Sequence, residues 1–198
     1  AGVYRFNYVI PATQPCVNDT AQVLVTIVEN PVVSFKSDTL QGCSPLNVQF
    51  INTSVASATS TYLWNLGNGK SSTLLNPHPN MYVGAGCYNI SLTVTAENLC
   101  TKTFSISDMI CVFPNPVADF SFSPMPAYAD DPMVTFTNSS TLNDFNAWTF
   151  GDGTNGSLEN PKHLYPPGEV ANYLAQLIVY TTKGCSDTAQ RVVQINGQ

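Results

Sequence analysis

Apolar and polar positions alternate with a period of two along much of this chain, and no stretch carries a convincing helical stripe. Tyr62, Trp64 and Leu66 fall on one face of a short segment. Gly67-Asn68-Gly69 then turns the chain where a positive φ costs least. Ile90, Leu92 and Val94 alternate with Ser91, Thr93 and Thr95, and the run from Leu174 to Val179 alternates less cleanly. Such alternation, bounded by turn residues, predicts half-buried strands. Short strands and frequent turns predict an all-β fold of antiparallel sandwiches.

The pattern repeats. Trp64-Asn65-Leu66-Gly67-Asn68-Gly69 and Trp148-Thr149-Phe150-Gly151-Asp152-Gly153 lie 84 residues apart. Around them Asn30-Pro31 matches Asn115-Pro116, Phe50-Ile51-Asn52-Thr53-Ser54 matches Phe136-Thr137-Asn138-Ser139-Ser140, and Asn76-Pro77 before Tyr82 matches Asn160-Pro161 before Tyr165. Tyr4, Tyr88 and Tyr173 each precede a cysteine by twelve residues, at Cys16, Cys100 and Cys185. A period this long implies tandem modules. Residues 31–115 and 116–198 read as complete copies, and 1–30 as the last third of an upstream copy. Those first residues predict a two-stranded hairpin, marginal alone and with open edges, so the natural protein is expected to extend upstream. Asn30-Pro31 and Pro114-Asn115-Pro116 leave short, proline-restricted junctions, which predict modules arranged as a rod.

Charge narrows the partners. Charged residues make up only 10% of the chain, with net charge −6 and pI near 4.5, which argues against nucleic acid and anionic membranes. No apolar run is long enough to span a bilayer, so no membrane insertion is expected. Six cysteines without metal-site spacing favour an oxidising compartment.

Trp-x-Phe/Leu-Gly-Asp/Asn-Gly, the Asn-Pro before a Tyr, and Gly86-Cys87-Tyr88 resemble the PKD module, an immunoglobulin-like β-sandwich. The copy at 31–115 departs from the usual pattern with Asn65 and Asn68 at positions that are acidic in the family, and the last copy lacks the tight Gly-x-Tyr. Gly42-Cys43-Ser44-Pro45, Gly184-Cys185 with Asp187-Thr188, and Ile110-Cys111-Val112 resemble the tandem repeats of Bacteroidota surface proteins, including SprB-like gliding-motility adhesins exported by the type IX system. The resemblance implies an extracellular, non-catalytic segment on the outer-membrane exterior. Trp64 and Trp148 are then core anchors, and Gly67, Gly69, Gly151, Asp152 and Gly153 form the turns after them.

The cysteines follow from the hairpin and the topology. With Cys100 at the turn of the last hairpin of its copy, Cys87 and Cys111 face each other across the strands and are expected to bond, adding about 2–4 kcal/mol. Asn172 and Asn196 are read as the equivalent positions in the last copy, so both cysteines are absent there together. In an immunoglobulin-like topology Cys43 lies at the C-terminal end of its module and Cys100 at the opposite end, roughly 25 Å away over seven or eight strand residues. A disulfide needs Cα atoms within about 7 Å. Cys43 is therefore expected to bond Cys185 of the next copy, with Cys16 and Cys100 bonding upstream segments. A different topology would allow Cys43–Cys100 instead.

Candidate chemistry is sparse. No phosphate loop, zinc motif or nucleophile elbow is present, and no cofactor or catalytic residue is expected. His78 and His163 read as surface or turn residues. In the last copy only, Asp130, Asp131, Asp144 and the Asp152-Gly153-Thr154-Asn155-Gly156 turn offer oxygen ligands for calcium, without an EF-hand loop. Tyr128, Phe145 and Tyr180 are candidates for stacking on sugars, against a plainer reading as core or edge packing. Asp19-Thr20-Ala21, Asp38-Thr39-Leu40 and Asp187-Thr188-Ala189 resemble the Bacteroidota O-glycosylation pattern, which marks Thr20, Thr39 and Thr188. Two functions from different classes remain. One is a stalk segment of a gliding-motility adhesin, with neighbouring modules, type IX components and a surface polysaccharide as partners. The other is a pair of accessory modules of a secreted polysaccharide-degrading enzyme or protease.

Overall fold

The computed structural model describes residues 2–11, 13, 17–27, 30–97 and 99–197; Cys16 lies outside them. Among the described residues every extended regular element is a strand. β1 (Gly2–Ile10) and β2 (Asp19–Ile27) form an antiparallel hairpin. There follow β3 (Phe35–Ser37), β4 (Gln41–Cys43), β5 (Leu46–Val48), β6 (Phe50–Asn52), β7 (Thr61–Asn65), β8 (Ser71–Ser72), β9 (Asn80–Tyr82), β10 (Gly86–Thr95) and β11 (Thr101–Phe113). The remaining strands are β12 (Phe120–Ser123), β13 (Ala127–Tyr128), β14 (Met133–Asn138), β15 (Phe145–Thr149), β16 (Asn155–Gly156), β17 (Lys162–Leu164), β18 (Ala171–Tyr180) and β19 (Ser186–Asn196).

Two five-stranded sheets share one order, β4-β11-β10-β7-β8 and β13-β19-β18-β15-β16. In each, a short strand lies parallel on the last long one, β4 on β11 and β13 on β19. The second five-stranded sheet packs against β12-β14-β17. In the earlier stretch the counterpart of β14 is broken into β5 and β6 at Gln49, whose N–H donates to the Asp38 carboxylate instead of a ladder partner. The fold is all-β and built of immunoglobulin-like β-sandwiches.

By its contacts the chain divides into two compact units. One holds described residues up to 38 with 49–80 and 88–108; the other holds 39–48, 81–87 and 109 onward. In the first, Trp64 is fully buried, edge-on to Phe35 at 5.2 Å and tilted against Phe50 at 6.0 Å. Ile90, Leu92 and Val94 are buried from β10, as their alternation requires. In the second, Trp148 meets Phe120 at 5.1 Å and Phe136 at 5.4 Å. On β18 the buried phase is Tyr173, Ala175, Leu177 and Val179, and Leu174 points outward.

The two long hairpins differ in one respect that positions the cysteines. β18 and β19 keep a single register from Tyr180–Ser186 to Ala171–Ile195. Along β10 and β11, by contrast, the Thr93 and Thr103 hydroxyls meet at 2.8 Å, then Asp108 N–H donates to Asn89 Oδ1 at 2.7 Å, then Cys87 bonds Cys111. From the first of these contacts to the last, β11 advances two residues more than β10, and β11 is 13 residues long where β19 is 11. Asp108, at φ 50°, marks this bulge. A shift of two preserves the faces, so Ile110 and Val112 stay buried while Cys111 points away with Cys87. The bulge also corrects the equivalence read from sequence: Asn172 faces Gln194, not Asn196.

Candidate functional site

The second unit gathers four of the six cysteines into two disulfides. Cys43 ends β4, and the parallel pairing of β4 with β11 sets it beside Phe113, the last residue of that strand. It is bonded to Cys185, which closes the turn before β19, with Cα atoms 5.5 Å apart; Cys43 therefore does not take Cys100. Polar contacts knit the surroundings. Ser44 N–H donates to Phe113 O at 3.0 Å, Ser44 Oγ donates to Val83 O at 2.7 Å, and Asn115 Nδ2 donates to Ser44 O at 2.6 Å. The Lys183 ammonium lies 5.2 Å from the Phe113 ring centroid, within cation–π range. Cys185 is 1% exposed, and its N–H donates to Thr181 Oγ1. Cys87 and Cys111 form the second bond, Cα atoms 4.1 Å apart. Cys100 is a half-buried thiol in the turn between β10 and β11.

The tryptophan motifs form matching constructions. Trp64 Nε1 donates to Leu74 O at 3.0 Å, and Trp148 Nε1 to Leu158 O at 2.9 Å. Each indole thereby buries its ring and still satisfies its N–H. The turns close through Leu66 N–H to Lys70 O and Phe150 N–H to Thr154 O. Gly67 and Gly151 adopt φ 77° and 88°, and a Cβ there would lie 2.5 Å from Asn89 O and 2.6 Å from Leu174 N. Gly69 and Gly153 have positive φ but open space around them.

Asp152 does more than turn the chain. Its Oδ1 accepts the Thr154 hydroxyl at 2.6 Å and the Thr154 N–H at 3.0 Å, while Oδ2 meets His163 Nε2 at 2.7 Å. Burial raises the proton affinity of Asp152, but Thr154 and His163 outweigh it and hold the carboxyl below its ordinary range. His163 stacks flat on Phe150 at 4.1 Å and stands edge-on to Tyr165. Its side chain is only 13% exposed, which corrects the surface reading; His78 is exposed as expected. Burial also pushes the Tyr165 phenol up, and its O–H donates to Phe150 O at 2.9 Å.

The other candidates are dispersed. Asp144 accepts the Thr182 N–H, and Asp130 and Asp131 line a shallow cavity with Pro124 and Tyr128. Among the described residues no three His, Cys, Asp or Glu side chains converge as metal ligands. Tyr128, Phe145 and Tyr180 are exposed rather than packed in the core, and Phe145 faces Tyr180 directly across β15 and β18. Thr20 and Thr188 are exposed strand residues, and Thr39 is half-buried. The aspartates before them accept backbone N–H groups, Asp19 from Thr20, Asp38 from Gln49 and Asp187 from Ala118. Sequence reasoning missed the Asp152–His163 pair. Its available signal is positional: His163 stands two residues before Tyr165, as Asn80 does before Tyr82.

No curated protein matches the chain. Among solved structures it is similar to the PKD1 domain of Vibrio anguillarum Epp, at 27% identity over 42% of this chain and 96% of that one, TM-score 0.36. It is also similar to the PKD1 domain of the Vibrio cholerae metalloprotease PrtV, at 26% identity over 41% and 98%, TM-score 0.35. A structure of carbohydrate-binding modules from the β-sandwich superfamily shares 27% identity over 42% of this chain and 35% of that one, TM-score 0.37. Residues 115–195, from the proline-bounded junction to β19, match the family model of the PKD domain.

Proposed function

We propose that this chain is a non-catalytic, extracellular stalk segment of a large cell-surface adhesin of the gliding machinery, exported by the type IX system. The observation that carries the reading is the Cys43–Cys185 bond. Taking 31–115 and 116–198 as successive modules, it joins the C-terminal end of one to the turn of the last hairpin of the next. Two disulfides call for an oxidising compartment. A covalent tie between successive modules suits a segment that holds a distal binding surface away from the cell. The gliding and type IX parts of the reading rest on the resemblance of the cysteine motifs. Its partners are then the neighbouring modules, the type IX and gliding components, and a surface polysaccharide met by the distal part.

Unreduced peptide mapping of the intact protein from its own cells tests this. Peptides from many further repeats, with Cys43 linked to Cys185, support the adhesin. Peptides from an adjoining catalytic domain would replace it with accessory modules of a secreted hydrolase or protease.

A further inference from the structure

A disulfide decides which part of a chain feels tension, because force follows the shortest covalent path between the points of attachment. We infer that the Cys43–Cys185 bond is a mechanical bypass: a pull on the two ends crosses from Cys43 directly to Cys185, leaving residues 44–184 off the force path. The bond spans 142 positions in sequence while holding its Cα atoms 5.5 Å apart. Both tryptophans, their glycine turns and the Asp152–His163 pair lie inside the bypassed loop, while Phe35 beside Trp64 and Val193 and Ile195 of the Trp148 core lie outside it. Only the stretches before Cys43 and after Cys185, including β1, β2, β3 and all of β19, can be drawn out. The Cys87–Cys111 bond is nested within the loop and spans 24 positions, so it would still close that hairpin if the outer bond were absent. Of the two cysteines of the outer bond, Cys185 is buried and Cys43 half-buried.

The bypass depends on connectivity alone, so the adhesin reading can fail while the bypass stands. Its test is to stretch the whole oxidised 198-residue chain between end handles in optical tweezers. At an extended-chain length of about 3.4 Å per residue, the fully drawn chain should release no more than about 20 nm. The Cys43→Ser, Cys185→Ser double variant should release about 40 nm more, with the nested bond still closed. Adding Cys87→Ser and Cys111→Ser should release about 8 nm beyond that. The length of a fully drawn chain does not depend on folding, so a variant that fails to fold still gives its reading. An oxidised wild-type chain that extends as far as the double variant overturns the bypass.

Discussion

Asp152 and His163 fasten one tryptophan-motif turn to the strand beside it, and at the matching positions of the earlier copy stand Asn68 and Asn80. Asn80 is buried, and among the described residues its Nδ2 finds no acceptor. The exchange of a carboxylate and an imidazole for two amides is readable in the sequence only once both positions are known to meet. That meeting depends on the route from the turn through β16 to β17, which no local pattern encodes; the tryptophans and glycines, by contrast, were legible because their spacing recurs. A depressed carboxyl stabilises the fold at pH values above its ordinary value of 3.8, and that contribution is lost as the pH falls through the folded value. Urea midpoints measured from about pH 5 down to about pH 2.5 should therefore fall less for Asp152→Asn than for wild type. Asp119 and Asp187 are also held low, so the wild-type slope is reduced by the substitution and not abolished. Equal slopes would remove Asp152 from the acid response. The four glycines should separate into two classes. Gly67→Ala and Gly151→Ala meet backbone atoms within 3 Å, whereas Gly69→Ala and Gly153→Ala meet open space. The second pair should cost about 1–2 kcal/mol for the left-handed conformation, and the first pair clearly more, by chemical denaturation.

Strands were the most legible elements, since each needs only its own alternation. Ile90, Leu92 and Val94 show it without exception. The parallel placement of β4 on β11 and β13 on β19 was not legible, because two or three residues carry no period to read. The bulge at Asp108 was equally hidden. Cys87 and Cys111 could be paired from the hairpin turn, but the two residues absorbed between Thr103 and Cys111 appear only when the registers of both hairpins are compared. This makes a sharp test. Deleting Ser107 and Asp108 together should give β11 the simple register of β19, leaving Cys111 opposite Cys87 and Ile110 and Val112 inward. Deleting Asp108 alone should turn every later side chain of β11 to the wrong face and abolish the bond. Unreduced peptide mapping of the two variants should find the Cys87–Cys111 link in the first and not in the second.

At the scale of the whole molecule, loop length ranks the two disulfides. Chain entropy assigns about 5 kcal/mol to closing the long loop of Cys43–Cys185 and about 3.4 kcal/mol to Cys87–Cys111. Calorimetry of the two serine double variants should show the larger loss for the outer bond; the reverse order would place native-state packing above loop closure. The hairpin of β1 and β2 raises the remaining question. Cross-strand pairing puts Tyr4 with Val25, Phe6 with Val23 and Tyr8 with Ala21 on one face, and the mixed pairs Arg5 with Leu24, Asn7 with Gln22 and Val9 with Thr20 on the other. The first face is apolar and exposed here, whereas the corresponding face of β18 and β19, with Tyr173, Leu177 and Val193, is buried in a core. The twelve-residue spacing from Tyr4 to Cys16 equals that from Tyr173 to Cys185, so the two hairpins share a design in sequence. If residues 1–30 complete an upstream sandwich, Tyr4 and Tyr8 should label readily by hydroxyl-radical footprinting in the 198-residue chain. In the protein extended by one copy upstream they should become as protected as Tyr173. Equal labelling in both would mean that this hairpin belongs to no upstream core, and that its apolar face meets something else.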